Sequence, residues 1–185
     1  MVNTNNLKKG IVLKLDNILY EVVDHEHYKP GKGGAFVRAT LRNLLTDNII
    51  EKRLHAGDKV EDVFIEKKNM QYLYAEGNDF VFMDTETYDQ INVPQDKLKN
   101  KTAYLKDSIE VIFRLYNNDI IDIEFPAHII LEVTYTEPGI RGDTATSASK
   151  PITLETGLEV QAPLFINIGD KVKVDTRTGQ YVERA

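Results

Sequence analysis

Apolar and polar residues alternate with a period of two in short runs along most of this chain, and the runs are punctuated by clusters of Asn, Asp or Gly. A strand needs that period because successive side chains point to opposite faces, whereas a helix needs an apolar residue every third or fourth position. Residues 11–15, 18–23, 35–43 and 49–54 read as strands of a first unit, separated by the turn signals Asp16-Asn17 and Thr46-Asp47-Asn48. A second unit begins near Ile65, with strands over 70–75 and 80–84, then 109–116 and 120–125 around Asn117-Asn118-Asp119. The third has strands over 129–135, 160–168, 171–175 and 180–184, with a loop rich in Gly, Thr, Ser and Ala between the first two. Only 93–104 leaves room for a helical turn or two. The pattern predicts an all-β chain of three consecutive small β-barrels, residues 1–64, 65–127 and 128–185, each near the lower size at which a domain keeps its own core.

One turn stands apart from the others. Lys29-Pro30-Gly31-Lys32-Gly33-Gly34 sets a lysine between glycines, after a stiff proline, and between two alternating segments. Glycine reaches backbone conformations closed to other residues, so this composition suits a compact hairpin tip, and both Gly31 and Gly33 are expected to need space or a positive φ. In the strand that follows, Val37, Ala39 and Leu41 share one face, while Phe36, Arg38, Thr40 and Arg42 share the other.

The net charge of −6 argues against nucleic acid as a partner only if it is spread evenly, and it is not. Residues 1–64 hold 10 Lys and Arg against 9 Asp and Glu, whereas residues 65–127 hold 7 against 12. From His27 to Thr46 there is no carboxylate at all. Lys29, Lys32, Arg38 and Arg42 are therefore expected to form one RNA-facing stripe.

Other chemistries lack their parts. The chain has no cysteine, which removes disulfides and thiolate metal sites and agrees with a cytoplasmic location. Nothing approaches the ~20 apolar residues of a membrane helix, and the first residues lack the apolar core of a secretion signal. Gly31-Lys32-Gly33 is not a nucleotide-hydrolysing loop, which needs a further upstream Gly and a Ser or Thr after the lysine. His25 and His27, two apart on a strand, lack a placed third metal ligand, His55 being the nearest candidate in type, and read as polar or RNA-facing groups beside the hairpin. No carboxylates pair as acid and base, and no serine sits in a nucleophile turn. Neither an enzyme, a metal nor a cofactor is expected.

The run from His27 to Arg38, with Leu41-Arg42-Asn43-Leu44 and Glu51-Lys52, closely resembles the bacterial elongation factor P family. The likeness continues through Met70-Gln71-Tyr72-Leu73-Tyr74 and Phe82-Met83-Asp84 to Glu137-Pro138-Gly139-Ile140-Arg141-Gly142-Asp143-Thr144. It ends in the stretch from Val174 to Val182, and the family's C-terminal positions Lys150, Gly157, Pro163 and Gly169 are all kept. Ile152 and Ala162 depart from the family's usual alanine and valine, both apolar exchanges.

The resemblance implies an N-terminal SH3-like (KOW-type) barrel followed by two OB-type barrels, arranged as an L with the outline of tRNA. It implies a monomeric factor that binds both ribosomal subunits between the peptidyl-tRNA and exit sites, with Lys32 commonly extended by a lysine-modifying enzyme. The extended side chain would reach the end of peptidyl-tRNA and relieve stalling at consecutive prolines, with Lys29, Pro30, Gly31, Gly33, Gly34, Arg38 and Arg42 lining the RNA contact. Gly142, Asp143 and Thr144 match a loop directed at the small subunit and the exit-site codon, and Tyr181 and Arg184 match C-terminal ribosome contacts. The competing class is a free-standing RNA- or single-strand-binding module, since OB-type barrels often serve that role. It would want stacking aromatics among basic residues, yet most of the tyrosines fall in the acidic middle unit.

Overall fold

In the computed structural model the described residues are 1–31, 33–138 and 149–185. They form strands and short 3-10 turns, with no α-helix among them. Strands β1 (Val2–Asn3), β2 (Val12–Leu15), β3 (Ile18–Tyr28), β4 (Phe36–Asn43), β5 (Ile49–His55) and β6 (Lys59–Val63) form one sheet in the order β1-β6-β2-β3-β4-β5. Strands β7 (Glu66–Glu76), β8 (Asp79–Asp84), β9 (Gln90–Pro94), β10 (Glu110–Tyr116) and β11 (Asp119–Glu124) form a second, ordered β11-β10-β7-β8-β9. Strands β12 (His128–Thr136), β13 (Ser149–Leu154), β14 (Glu159–Pro163), β15 (Lys171–Asp175) and β16 (Gln180–Arg184) form the third, ordered β14-β13-β12-β15-β16. The all-β class expected from the alternation holds.

Turn chemistry fixes the hairpins. Asp16 and Asn17 both have positive φ, 52° and 65°, as do Asn117 and Asn118, 52° and 68°. Two consecutive left-handed residues are what a tight hairpin turn requires, and Asn and Asp tolerate that region better than other side chains.

The described residues divide into two compact units, Met1–Lys67 with Arg114–Asp122, and Lys68–Phe113 with Ile123–Ala185. In the first, Leu7, Leu13, Val22, Val37, Ala39 and Leu41 make the buried core. In the second, Leu131, Val133, Ile152, Leu154, Val172 and Val174 are buried together. Elsewhere in that unit Phe82 lies edge-on to Phe113, with ring centroids 5.0 Å apart.

Several elements differ from the periodic reading. β3 runs on to Tyr28 rather than ending at Val23, because a bulge between Val22 and Asp24 lets the polar stretch Asp24 to His27 stay paired with β4. β9 was not expected; it is a short edge strand closed by Pro94, where a missing N–H does no harm. β13 was hidden by Pro151, which pairs with Gln161 of β14 just beyond the stretch that meets β12. The strand expected over 160–168 stops at Pro163. The helical turns expected over 93–104 are 3-10 turns at Gln95–Leu98 and Thr102–Tyr104.

The last hairpin turn is held by Asp175. Its Oδ1 accepts from the backbone N–H of Arg177 at 2.8 Å and of Thr178 at 3.3 Å, while the Arg177 guanidinium donates from Nη2 to Oδ2 at 2.6 Å. The Arg177 side chain and the two backbone donors hold this carboxyl well below the usual carboxylate range. Gly179 closes the turn with φ +71°, and a Cβ there would meet the Tyr104 hydroxyl at 3.1 Å. Because the folded pKa lies below the unfolded one, the stabilisation is present above about pH 4 and is lost as pH falls further. Asp175→Asn should therefore lower the thermal midpoint at pH 7 and lose less between about pH 4 and pH 2 than the parent, by calorimetry; parallel acid losses would refute this role.

Candidate nucleic-acid interface

The hairpin of β3 and β4 builds the site. Its register pairs Tyr28 with Phe36, His27 with Val37, Glu26 with Arg38 and His25 with Ala39. β5 continues these rows, with His55 opposite Phe36 and Arg53 opposite Arg38. Paired residues share a face, and Val37, Ala39 and Leu41 are fully buried, so their face is the core. The outer face then carries two successive rows, Tyr28-Phe36-His55 and Glu26-Arg38-Arg53, immediately before the glycine-rich turn. The burial of β4 alternates as its sequence does.

At the turn, Lys29, Gly31, Gly33 and Gly34 are exposed, and Pro30 is half-buried. Gly33 has φ +119°, which side chains rarely adopt, and a Cβ there would meet only Pro30 Cγ at 3.7 Å. Gly31 has no positive φ and open space around it, so the expectation of backbone strain holds for Gly33 alone. Lys32 lies outside the described residues, as do Gly142, Asp143 and Thr144.

The three described cations of the expected stripe, Lys29, Arg38 and Arg42, do not share one environment. Lys29 is exposed, and Arg38 is half-buried without an ion pair among the described residues. Arg42 instead has its side chain 28% exposed and surrounded by carboxylates, with Nη2 2.7 Å from Glu21 and 3.2 Å from Asp122, and Nη1 3.3 Å from Asp47. Arg114 of β10 joins the same cluster, 3.1 Å from Glu21. Burial pushes the Glu21 carboxyl up, but Arg114 and Arg42 outweigh it and leave it below its ordinary value. Burial likewise disfavours the Arg42 charge, and Glu21, Asp122 and Asp47 reverse that effect. Arg42, expected as an RNA-facing charge, thus stands in an acidic cluster, because the fold brings Glu21 and Asp122 to a residue whose near neighbours in sequence carry no acid before Asp47.

His25 and His27 lie on the core side of the hairpin, their rings edge to face at 5.8 Å. Among the described residues no group of three His, Cys, Asp or Glu side chains converges to hold a metal ion. Tyr181 is partly buried against the C-terminal core, and Arg184 is exposed with its guanidinium 6.0 Å from the Phe165 ring. Sequence reasoning missed Arg53, which stands 5.3 Å over the Phe36 ring, and the Tyr28–Phe36 ring pair, 5.0 Å apart. The signal was the alternation of residues 49–54 itself, which sets Arg53 opposite Leu54 and so on the outer face; the partner across the sheet needed the register.

Three family models match in succession: the elongation factor P KOW-like domain over residues 3–60, its OB domain over 65–123 and its C-terminal domain over 129–184. The chain belongs to the elongation factor P family. It is 52% identical to the elongation factor P of Salinispora tropica over 185 residues, covering all of both chains. It is 49% identical to that of Acidothermus cellulolyticus, covering all of this chain and 99% of the other. Among solved structures it is similar to eukaryotic translation initiation factor 5A from Methanococcus jannaschii, with a TM-score of 0.52 and 26% identity over 68% of this chain and 90% of that one. In this family member the kept C-terminal positions have structural duties: Lys150 is buried and donates to the Glu137 carbonyl at 2.9 Å, while Gly157 and Gly169 take φ +80° and +86°.

The two arginines of β4 should separate in a stability measurement. Arg42→Ala leaves Glu21 and Asp122 short of a cation and should cost on the order of 2 kcal/mol in urea unfolding. Arg38→Ala should stay within about 0.5 kcal/mol. Equal costs would show that the Arg42 cluster contributes nothing specific.

Proposed function

We propose that this elongation factor P family member binds the ribosome between the peptidyl-tRNA and exit sites and promotes peptide-bond formation at consecutive prolines through Lys32, extended by a lysine-modifying enzyme. The observation that carries this is the exposed glycine turn at the end of a hairpin whose residues 27–46 lack any carboxylate, in a chain matched by the family throughout. The ribosome remains the catalyst. Proline is a constrained secondary amine, and a chain ending in prolines reacts slowly because its reactants are poorly placed. Restored alignment draws on positioning effects that in general reach ~7–11 kcal/mol. An amine on Lys32 supplies charge and hydrogen-bond donors to phosphate and 2′-hydroxyl groups without touching the bond being made.

In this reading residues 1–64, 65–127 and 128–185 serve as three modules, and the protein works in the cytoplasm as a monomer. The first presents Lys29, Pro30, Gly31, Lys32, Gly33, Gly34 and Arg38 to peptidyl-tRNA. The third offers Gly142, Asp143 and Thr144 to the small subunit, with Tyr181 and Arg184 as further ribosome contacts.

In a reconstituted system translating a proline run, Lys32→Ala should abolish the stimulation while leaving the unfolding midpoint unchanged. Lys32→Arg should also fail, because a guanidinium cannot accept the modification of an amine. Full stimulation by the alanine variant would overturn the proposal.

The two flanking glycines should behave differently in the same assay. Gly33→Ala places a side chain at a strained φ, a cost of about 1–3 kcal/mol that an exposed turn meets by changing shape, so function should fall more than stability. Gly31→Ala should be the milder change in both assays. Equal harm from both would point to crowding by the bound RNA rather than to backbone shape.

A further inference from the structure

The outer face of the hairpin holds an arrangement that the lysine turn does not explain. Arg38 and Arg53 are directly opposite each other on β4 and β5, where like charges destabilise a sheet. Glu26 flanks Arg38 on one side only, and neither arginine makes an ion pair among the described residues. Such a pair is an anion seat in waiting. One row toward the turn, Tyr28 is 54% exposed and its ring leans on Phe36 at 37°, while the Arg53 guanidinium covers Phe36 at 5.3 Å. An exposed ring backed by a second ring, beside cations, fits a nucleobase face with its phosphate.

We propose that this face seats one unpaired RNA nucleotide, its base stacked on Tyr28 and its phosphate between Arg38 and Arg53. The chemistry selects RNA over an acidic protein surface, because a carboxylate partner would satisfy the arginines and leave the Tyr28 ring uncovered. The spacing agrees: consecutive rows on one strand face are two residues apart, about 7 Å, the separation of a base from the phosphate of its own nucleotide. The inference rests on the hairpin facing RNA, and it adds a contact by stacking to one made by charge.

The chain contains no tryptophan, so Tyr28→Trp creates a single reporter at the seat. The probes are hexa-adenylate and an abasic ribose-phosphate hexamer of equal charge, titrated at low salt into the full-length protein. Hexa-adenylate should quench the new fluorophore, while the abasic hexamer binds without quenching. Tyr28→Leu, which keeps the bulk and removes the π face, should weaken hexa-adenylate binding about tenfold and leave the abasic hexamer unchanged. Arg53→Gln should weaken both probes and reduce the slope of log affinity against log salt by about 1. Equal quenching by the two probes, an unchanged affinity in Tyr28→Leu, or fluorescence that falls with protein concentration alone, the mark of a second copy on the patch, would each overturn the seat. Should the seat fail while Lys32→Ala still loses proline-run stimulation, the proposed function stands without it. If Lys32→Ala keeps its stimulation, that function falls whatever the probes do.

Discussion

Period-two burial along β4 is the constraint from which the rest of the first unit follows. Val37, Ala39 and Leu41 must all point inward, because shifting the register by one residue would exchange them for Phe36, Arg38 and Thr40 and bury a charge. Once that face is fixed, the partners on β3 and β5 are fixed with it, and so is the direction in which the hairpin end projects. The basic turn owes its position to aliphatic packing some residues away rather than to any interaction of its own. Its exposed residues are consequently free to be chosen for function.

Charge is handled in two different ways within this unit. Around Arg42 the fold gathers Glu21, Asp47, Asp122 and Arg114 into a compensated network, partly withdrawn from water, where removing one member strands the others. Around the hairpin end the opposite is done: Arg38 and Arg53 face each other and Lys29 stands exposed. A net charge of −6 is compatible with a basic working face because most of the acid is elsewhere, and phosphate attraction is local, falling off over a Debye length of ~8 Å.

The fold class was legible because alternation and turn chemistry are local signals. Asp16-Asn17 and Asn117-Asn118 announced their hairpins correctly, and β15 and β16 were read with their observed bounds. What escaped was non-local. β3 outlasts its apolar pattern because a partner strand keeps it extended, and β13 survives Pro151 because that residue is paired on one side. The site was legible in the same proportion. The carboxylate-free run marked the hairpin, but no inspection of neighbouring residues could show that Arg42 meets Asp122, eighty positions later, or that Arg53 faces Arg38. Lys29 and Arg42 look alike in the sequence and differ in the fold, since only the register and the grouping of residues 114–122 with the first unit decide which cation finds an acid.

The membership of residues 114–122 in the first unit carries a practical consequence for dissecting the protein. A fragment ending near residue 64 follows the sequence pattern, yet it would lack Arg114 and Asp122 and leave Glu21 and Arg42 to re-pair or hydrate on a newly bared surface. Such a piece is not the first unit in miniature but a different molecule with a different charge balance. Gene boundaries drawn from strand patterns alone would cut through a cluster that the folded chain treats as indivisible, and substitutions at its four central positions would be tolerated best in matched pairs.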